Sequence, residues 1–80
     1  MAYVERTSEE IIQAYERYAA GNPKPDRVVI HFGNRSYSPR QLAKAMRDGD
    51  KDVLFVFVEN VREVAKRLDF DPVEKIGEMN

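Results

Sequence analysis

The side chains that could act in catalysis are few in this sequence of 80 residues. His31 is the single histidine, and Ser36 and Ser38 follow it closely. A hydrolytic site needs its histidine beside a nucleophile and an orienting acid, and neither a G-x-S-x-G motif nor an oxyanion-hole pattern accompanies these residues. We therefore expect that the protein is not an enzyme, and we interpret His31 as a partly exposed histidine on a strand.

A second group of residues, which could bind a metal ion, consists of Asp48, Asp50 and Asp52, and these resemble part of a calcium loop. An EF-hand loop that began at Asp48 would need glycine at its sixth position, where Val53 stands. The three carboxylates are better explained as helix caps and solvated loop residues. Cysteine is absent, which excludes thiolate metal sites and disulfides, and no glycine-rich phosphate loop is present. The sequence therefore predicts no metal and no cofactor.

Positive charge is concentrated in the middle of the chain. Residues 21–47 carry six Lys and Arg against one Asp, whereas both flanks are acidic and the net charge is −1. One helix face is expected to carry most of a basic set, defined here as Arg35, Arg40, Lys44 and Arg47. Its favoured interpretation is self-complementation by the acidic flanks. The alternative is a face for an anionic partner, including nucleic acid, although a pI near 5.8 disfavours nucleic acid.

The elements that would position these residues begin with a well-signalled helix. Thr7 and Glu10 form a capping box, and an apolar stripe follows at helical spacing. Gly21 is predicted to end this helix in a left-handed conformation, before a loop stiffened by Pro23 and Pro25. The stripe consists of Ile11, Ile12, Tyr15, Tyr18 and Ala19.

A β-hairpin is predicted next, with strands at residues 27–32 and 35–37 joined by a two-residue turn at Gly33. In this register His31 faces Ser36, and Ile30 faces Tyr37. We expect Val28, Ile30 and Tyr37 on the core face, and Val29, His31 and Ser36 on the opposite face. A lone hairpin is marginal in water, so helices must cover it.

A second capped helix is predicted over residues 39–48. Ser38 and Gln41 form its capping box, and Pro39 occupies the first helical position, where the missing N–H has no cost. The helix should stop at Gly49. Its buried side is expected to consist of Leu42, Ala45 and Met46.

Residues 52–68 allow two interpretations. Apolar residues follow helical spacing throughout, which favours one long helix capped by Asp50, yet residues 53–58 also have the composition of a buried strand. In the helical interpretation Phe55 and Val56 lie outside the core stripe, Val56 beside Asn60, Glu63 and Arg67, which makes them candidates for a partner interface. In the strand interpretation both are simply buried, and a single exposed Phe is in any case ordinary. The core stripe is Leu54, Phe57, Val58, Val61, Ala65 and Leu68.

The sequence as a whole predicts an α+β fold: an N-terminal helix, the hairpin, then two or three helices packed on one hairpin face. We expect residues 1–80 to form a single small domain with frayed termini, including the tail 77–80. No signal peptide or membrane-spanning run is recognisable, so a cytoplasmic location is expected.

The predicted function is a non-enzymatic protein–protein interaction module, such as a small adaptor, accessory protein or inhibitor. Its expected partner is another protein chain, including a second copy in a homodimer. The alternative is a nucleic-acid-binding module that uses the basic face of the helix at 39–48.

Overall fold

The computed structural model describes residues 3–77, and its order of elements confirms the predicted α+β fold. An N-terminal helix precedes a two-stranded antiparallel hairpin, and the described elements after the hairpin are all helices. The predicted frayed tail falls largely on residues 78–80, which lie outside the described residues. The elements are α1 (Ser8–Ala20), β1 (Ile30–Phe32), β2 (Arg35–Tyr37), α2 (Pro39–Arg47), α3 (Lys51–Val53), a π-helical segment (Leu54–Glu59), α4 (Asn60–Leu68) and α5 (Pro72–Gly77).

Helix α1 begins as its sequence predicts. The Thr7 side chain accepts a hydrogen bond from the Glu10 amide, and the Glu10 carboxylate accepts one from the Thr7 amide. The prediction for the other end is wrong, because Gly21 has a right-handed backbone with φ of −88°. Its N–H donates to the Arg17 carbonyl at 3.1 Å, so Gly21 continues the helical hydrogen bonding and the helix ends without a left-handed residue at this position.

The hairpin has the predicted register, with Ile30 opposite Tyr37 and His31 opposite Ser36. Gly33 in the turn has a φ of +59°, a conformation that glycine adopts without steric cost. The first strand is shorter than predicted and begins at Ile30. Val28 is 47% exposed, so its expected place on the core face is wrong. It precedes the paired residues, where the strand no longer fixes which face a side chain occupies.

Helix α2 confirms the second capping box. The Ser38 side chain accepts from the Gln41 amide, and the Gln41 side chain accepts from the Ser38 amide at 2.9 Å. Gly49 follows the helix with a φ of +85°. Leu42 and Met46 are buried in the core, whereas Ala45 is only partly buried. The backbone of Asp50 returns to α2, since its N–H donates to the Ala45 carbonyl.

Residues 51–68 are helical, as the apolar stripe favoured, and Asp50 caps their start by accepting from the Asp52 and Val53 amides. The middle of this stretch is a π-helix, whose i→i+5 hydrogen bonds place one more residue in each ring than an α-helix does. The extra residue shifts the buried face by one position. Val53 is fully buried, and Leu54, the expected first member of the stripe, is only partly buried.

The other end of the stripe also differs from the prediction. Leu68 is 64% exposed rather than buried. It is the last residue of α4, and Asp69 then turns the chain away with a left-handed φ of 58°. The periodicity is correct at this position, but the helix ends before a neighbouring element can cover the side chain.

The core lies between α1 and the helices that follow the hairpin. Helix α1 packs against α2 on one side and α5 on the other. Tyr15 of α1 is fully buried, and its ring meets the edge of the Phe57 ring with 4.9 Å between centroids. Ile11, Leu42 and Ile76 complete the contact between these helices. Within residues 3–77, every helix is too short or too polar to cross a bilayer.

Candidate interaction surface

Two large apolar side chains in the π-helical segment point away from the core. Phe55 is 73% exposed and Val56 is 38% exposed, while Val58 on the other side of the same segment is buried. The exposure of the two candidate interface residues follows from helix geometry, since one face alone can pack against α1. A π-helical segment is an uncommon feature and is frequent at functional sites.

The exposed residues border a shallow groove of about 490 Å³, called here the Phe55 groove. The helical spacing predicted that Val56 would share a face with Asn60, Glu63 and Arg67, and all four line this groove. One end of the groove is therefore apolar, and the other carries both signs of charge. The complete lining is Phe55, Val56, Glu59, Asn60, Glu63 and Arg67.

The charged groups around this groove differ in how they are paired. Glu59 accepts from Arg62, which also donates to the Arg6 carbonyl and to Ser8 and so ties α4 to the start of α1. Glu63 and Arg67 form no ion pair with any residue between 3 and 77. The surface therefore offers one acid and one base for contacts with another molecule.

The basic set of Arg35, Arg40, Lys44 and Arg47 is neutralised within the chain. Each of these four cations has a carboxylate partner within 4.0 Å. The pairs are Arg35 with Asp50 (2.7 Å) and Asp52 (3.7 Å), Arg40 with Asp26 (3.2 Å), Lys44 with Asp48 (2.9 Å), and Arg47 with Glu9 (2.8 Å) and Glu16 (2.6 Å).

These ion pairs lower the pKa values of two of the carboxylates involved. The hydrogen bond from Arg47 holds the pKa of Glu16 below its ordinary value, and the hydrogen bond from Arg35 does the same for the pKa of Asp50. Arg47 also joins α2 to α1, because its carboxylate partners Glu9 and Glu16 both lie on α1. The arrangement fits the interpretation that the basic middle of the chain complements its acidic flanks.

The residues considered for catalysis (His31 and Ser36) and for metal binding (three aspartates) make ordinary hydrogen bonds and ion pairs. His31 Nδ1 lies 3.0 Å from Ser36 Oγ, both residues are exposed, and no carboxylate among residues 3–77 hydrogen-bonds the ring. Asp48, Asp50 and Asp52 are used in ion pairs and in the cap of α3. In the described part of the chain no three or more potential ligand residues converge on a metal-sized site.

Two features were not foreseen from the sequence. Arg6 forms a two-pronged ion pair with Asp71, with distances of 3.1 and 2.6 Å, which joins residues 65 positions apart. The hydroxyl of buried Tyr15 has no hydrogen-bond partner among residues 3–77. The sequence did contain a signal for the ion pair, because Asp71 stands directly before Pro72 of α5, where a helix-capping residue is expected. This signal did not identify Arg6 as the partner.

Comparisons with known proteins add no relative. No protein-family model matches the chain, and no curated protein or solved structure shows significant similarity to it.

Proposed function

We propose that this protein is a non-enzymatic protein–protein interaction module that associates with a second copy of itself through the Phe55 groove. The observation that carries the proposal is the exposed ring of Phe55, which lies beside the partly exposed Val56 on the face of the helix that does not pack against α1. Exposed aromatic side chains beside apolar neighbours are typical of the centres of protein interfaces. A small cytoplasmic adaptor, accessory protein or inhibitor would act in this way.

The charges around Phe55 favour a second copy as the partner. Lys51 lies four residues before Phe55 and Glu59 four residues after it, so each is about one helical turn away. In a twofold antiparallel pair of helices centred on Phe55, Lys51 of each copy would face Glu59 of the other. The same surface is thus complementary to itself. Lys51 has no carboxylate partner among residues 3–77, which leaves it available for this contact.

The nucleic-acid alternative receives less support. Each cation of the basic set already pairs with a carboxylate of the same chain. A phosphate would have to displace these carboxylates, which reduces the gain from each contact. An acidic protein surface would meet the same competition at these four positions.

We expect Phe55→Ala to weaken self-association at least about tenfold, because an aromatic side chain at the centre of an interface contributes a large share of its buried apolar area. Sedimentation equilibrium at high micromolar concentration measures this constant. Val28→Ala, which shortens an exposed apolar side chain just before the hairpin, is the matched control and should leave the constant unchanged. A wild-type protein that stays monomeric, or a Phe55→Ala variant that associates normally, would refute the proposed function.

The antiparallel arrangement makes a separate prediction about charge. Lys51→Glu alone should weaken association several-fold, because it places like charges opposite each other at both ends of the contact. Adding Glu59→Lys should restore association, since the reversed pair is again complementary. Thermal unfolding of both variants checks that loss of the Arg62 contact with Glu59 has not destabilised the fold. Weaker association in the double variant than in Lys51→Glu would contradict the antiparallel arrangement.

A further inference from the structure

A second groove lies between α1 and the hairpin, and it shares no residue with the Phe55 groove. Its volume is about 630 Å³, within the range of small-molecule sites. The rings of Tyr15 and Tyr18 line it from α1, and Val29 and Ile30 line it from the hairpin. With Pro23 and Pro39, these make six of the nine lining residues aromatic or aliphatic. We call it the tyrosine groove.

The Tyr15 ring forms the inner wall of this groove. The side chain is fully buried, and the hydroxyl has no partner among residues 3–77. Contacts with the rings of Tyr18 and Phe57, at centroid distances of 5.3 and 4.9 Å, hold the Tyr15 ring in place. Burial raises the pKa of this hydroxyl, so it remains a neutral O–H donor at physiological pH. Because the Tyr15 side chain is fully buried, its hydroxyl lies out of reach of a molecule in the groove, and the ring alone contributes to the site.

The rim of the groove carries unpaired positive charge. Lys24 and Arg27 both line it, and neither has a carboxylate partner among residues 3–77. Asp26 lies between them in the sequence, but its carboxylate pairs with Arg40 at 3.2 Å. The loop backbone is held by hydrogen bonds, from the Lys24 amide to the Asn22 side chain and from the Arg27 amide to the Lys24 carbonyl. Two cations are therefore presented at one opening without a counter-ion of their own.

We propose that the tyrosine groove binds a small aromatic carboxylate. The aromatic body packs on the two tyrosine rings and against Val29 and Ile30, and the carboxylate pairs with Lys24 and Arg27. This ligand chemistry matches the two accessible properties of the groove, namely its apolar walls and its unpaired cations.

The test uses naphthoate and its neutral counterpart naphthamide, which have nearly the same shape and differ in charge. Each is titrated into isotope-labelled protein, and the amide chemical shifts are followed by two-dimensional NMR. We expect naphthoate to shift the amides of Tyr18, Val29 and Ile30, with an affinity at least about tenfold above that of naphthamide, because charged hydrogen bonds are the stronger ones. Equal binding of the two compounds, or no shift at these amides up to several millimolar, would overturn the proposal.

Two variants test the charged rim and the tyrosine wall of the groove separately. Arg27→Ala should weaken naphthoate binding at least about fivefold, whereas Arg17→Ala, which removes an exposed arginine outside the groove, should not. Tyr15→Phe should leave naphthoate affinity unchanged, because the hydroxyl is out of reach of the ligand. Its urea midpoint should be equal to or above that of wild type, because the change removes an unpartnered buried hydroxyl. Unchanged naphthoate affinity in Arg27→Ala would refute the site. If an acidic peptide shifts the same amides and naphthoate does not, the small-ligand proposal fails.

Discussion

Leu42→Ala is expected to lower the free energy of unfolding by about 3 kcal/mol, the typical cost of removing a fully buried leucine side chain. Leu42 has no exposed surface and packs in the core that α2 shares with α1. The buried surface of so short a chain leaves little stability in reserve, so the loss should lower the urea midpoint clearly. Urea unfolding followed by circular dichroism measures the loss.

The same substitution at Leu68 is the matched control. This leucine also lies on a helix, but it is 64% exposed at the end of α4. Leu68→Ala should change the free energy of unfolding by less than about 0.5 kcal/mol. Equal losses in the two variants would show that the assignment of the buried face is wrong.

Asp71→Asn is expected to lower the free energy of unfolding by about 2 kcal/mol at neutral pH. The Asp71 side chain is 8% exposed, and its carboxylate receives two hydrogen bonds from Arg6. It also accepts from the Val73 amide and so caps the start of α5. The asparagine is similar in shape but neutral, and it leaves the Arg6 guanidinium with Glu10, at 3.1 Å, as its remaining carboxylate partner among residues 3–77. Asp26→Asn, at an exposed ion pair, is the control and should have no measurable effect.

The cost of this substitution should depend on pH. The hydrogen bonds from Arg6 hold the pKa of Asp71 below its ordinary value of 3.8. A carboxylate with a lowered pKa in the folded state stabilises the fold above its ordinary pKa, and this contribution is lost as the pH falls through the folded-state value. The difference between wild type and Asp71→Asn should therefore be constant near neutral pH and shrink below pH 3.8. Urea unfolding at a series of pH values measures it, and a constant difference in acid would contradict the assigned pairing.

The elements that the sequence predicted well are those with local causes. The caps at Thr7, Ser38 and Asp50 depend on hydrogen bonds that reach only two or three residues along the chain, and all three are present. The register of the hairpin depends on a two-residue turn, which fixes the pairing of Ile30 with Tyr37. Such signals are contained in a few neighbouring residues.

The features that the sequence did not predict depend on distant residues or on small shifts in helical geometry. Arg6 was one of several arginines, and only the packing of α1 against α5 selects Asp71 as its partner. The unpartnered hydroxyl of Tyr15 likewise follows from the surroundings that tertiary packing gives it. For the candidate surface, spacing alone identified Phe55 and Val56 as exposed, whereas the tyrosine groove needed three separate parts of the chain.

The π-helical segment has a consequence for how related sequences should be aligned. Its rings contain one residue more than those of an α-helix, so a chain lacking one residue between Leu54 and Glu59 can form a continuous α-helix instead. Deleting Val56, for example, would place Phe57 and Val58 three and four residues after Val53, which is ordinary α-helical spacing. The helices on both sides would keep their buried faces. A gap of one residue between this sequence and a shorter descendant of the same ancestor therefore belongs inside the helix, although gaps are usually assigned to loops.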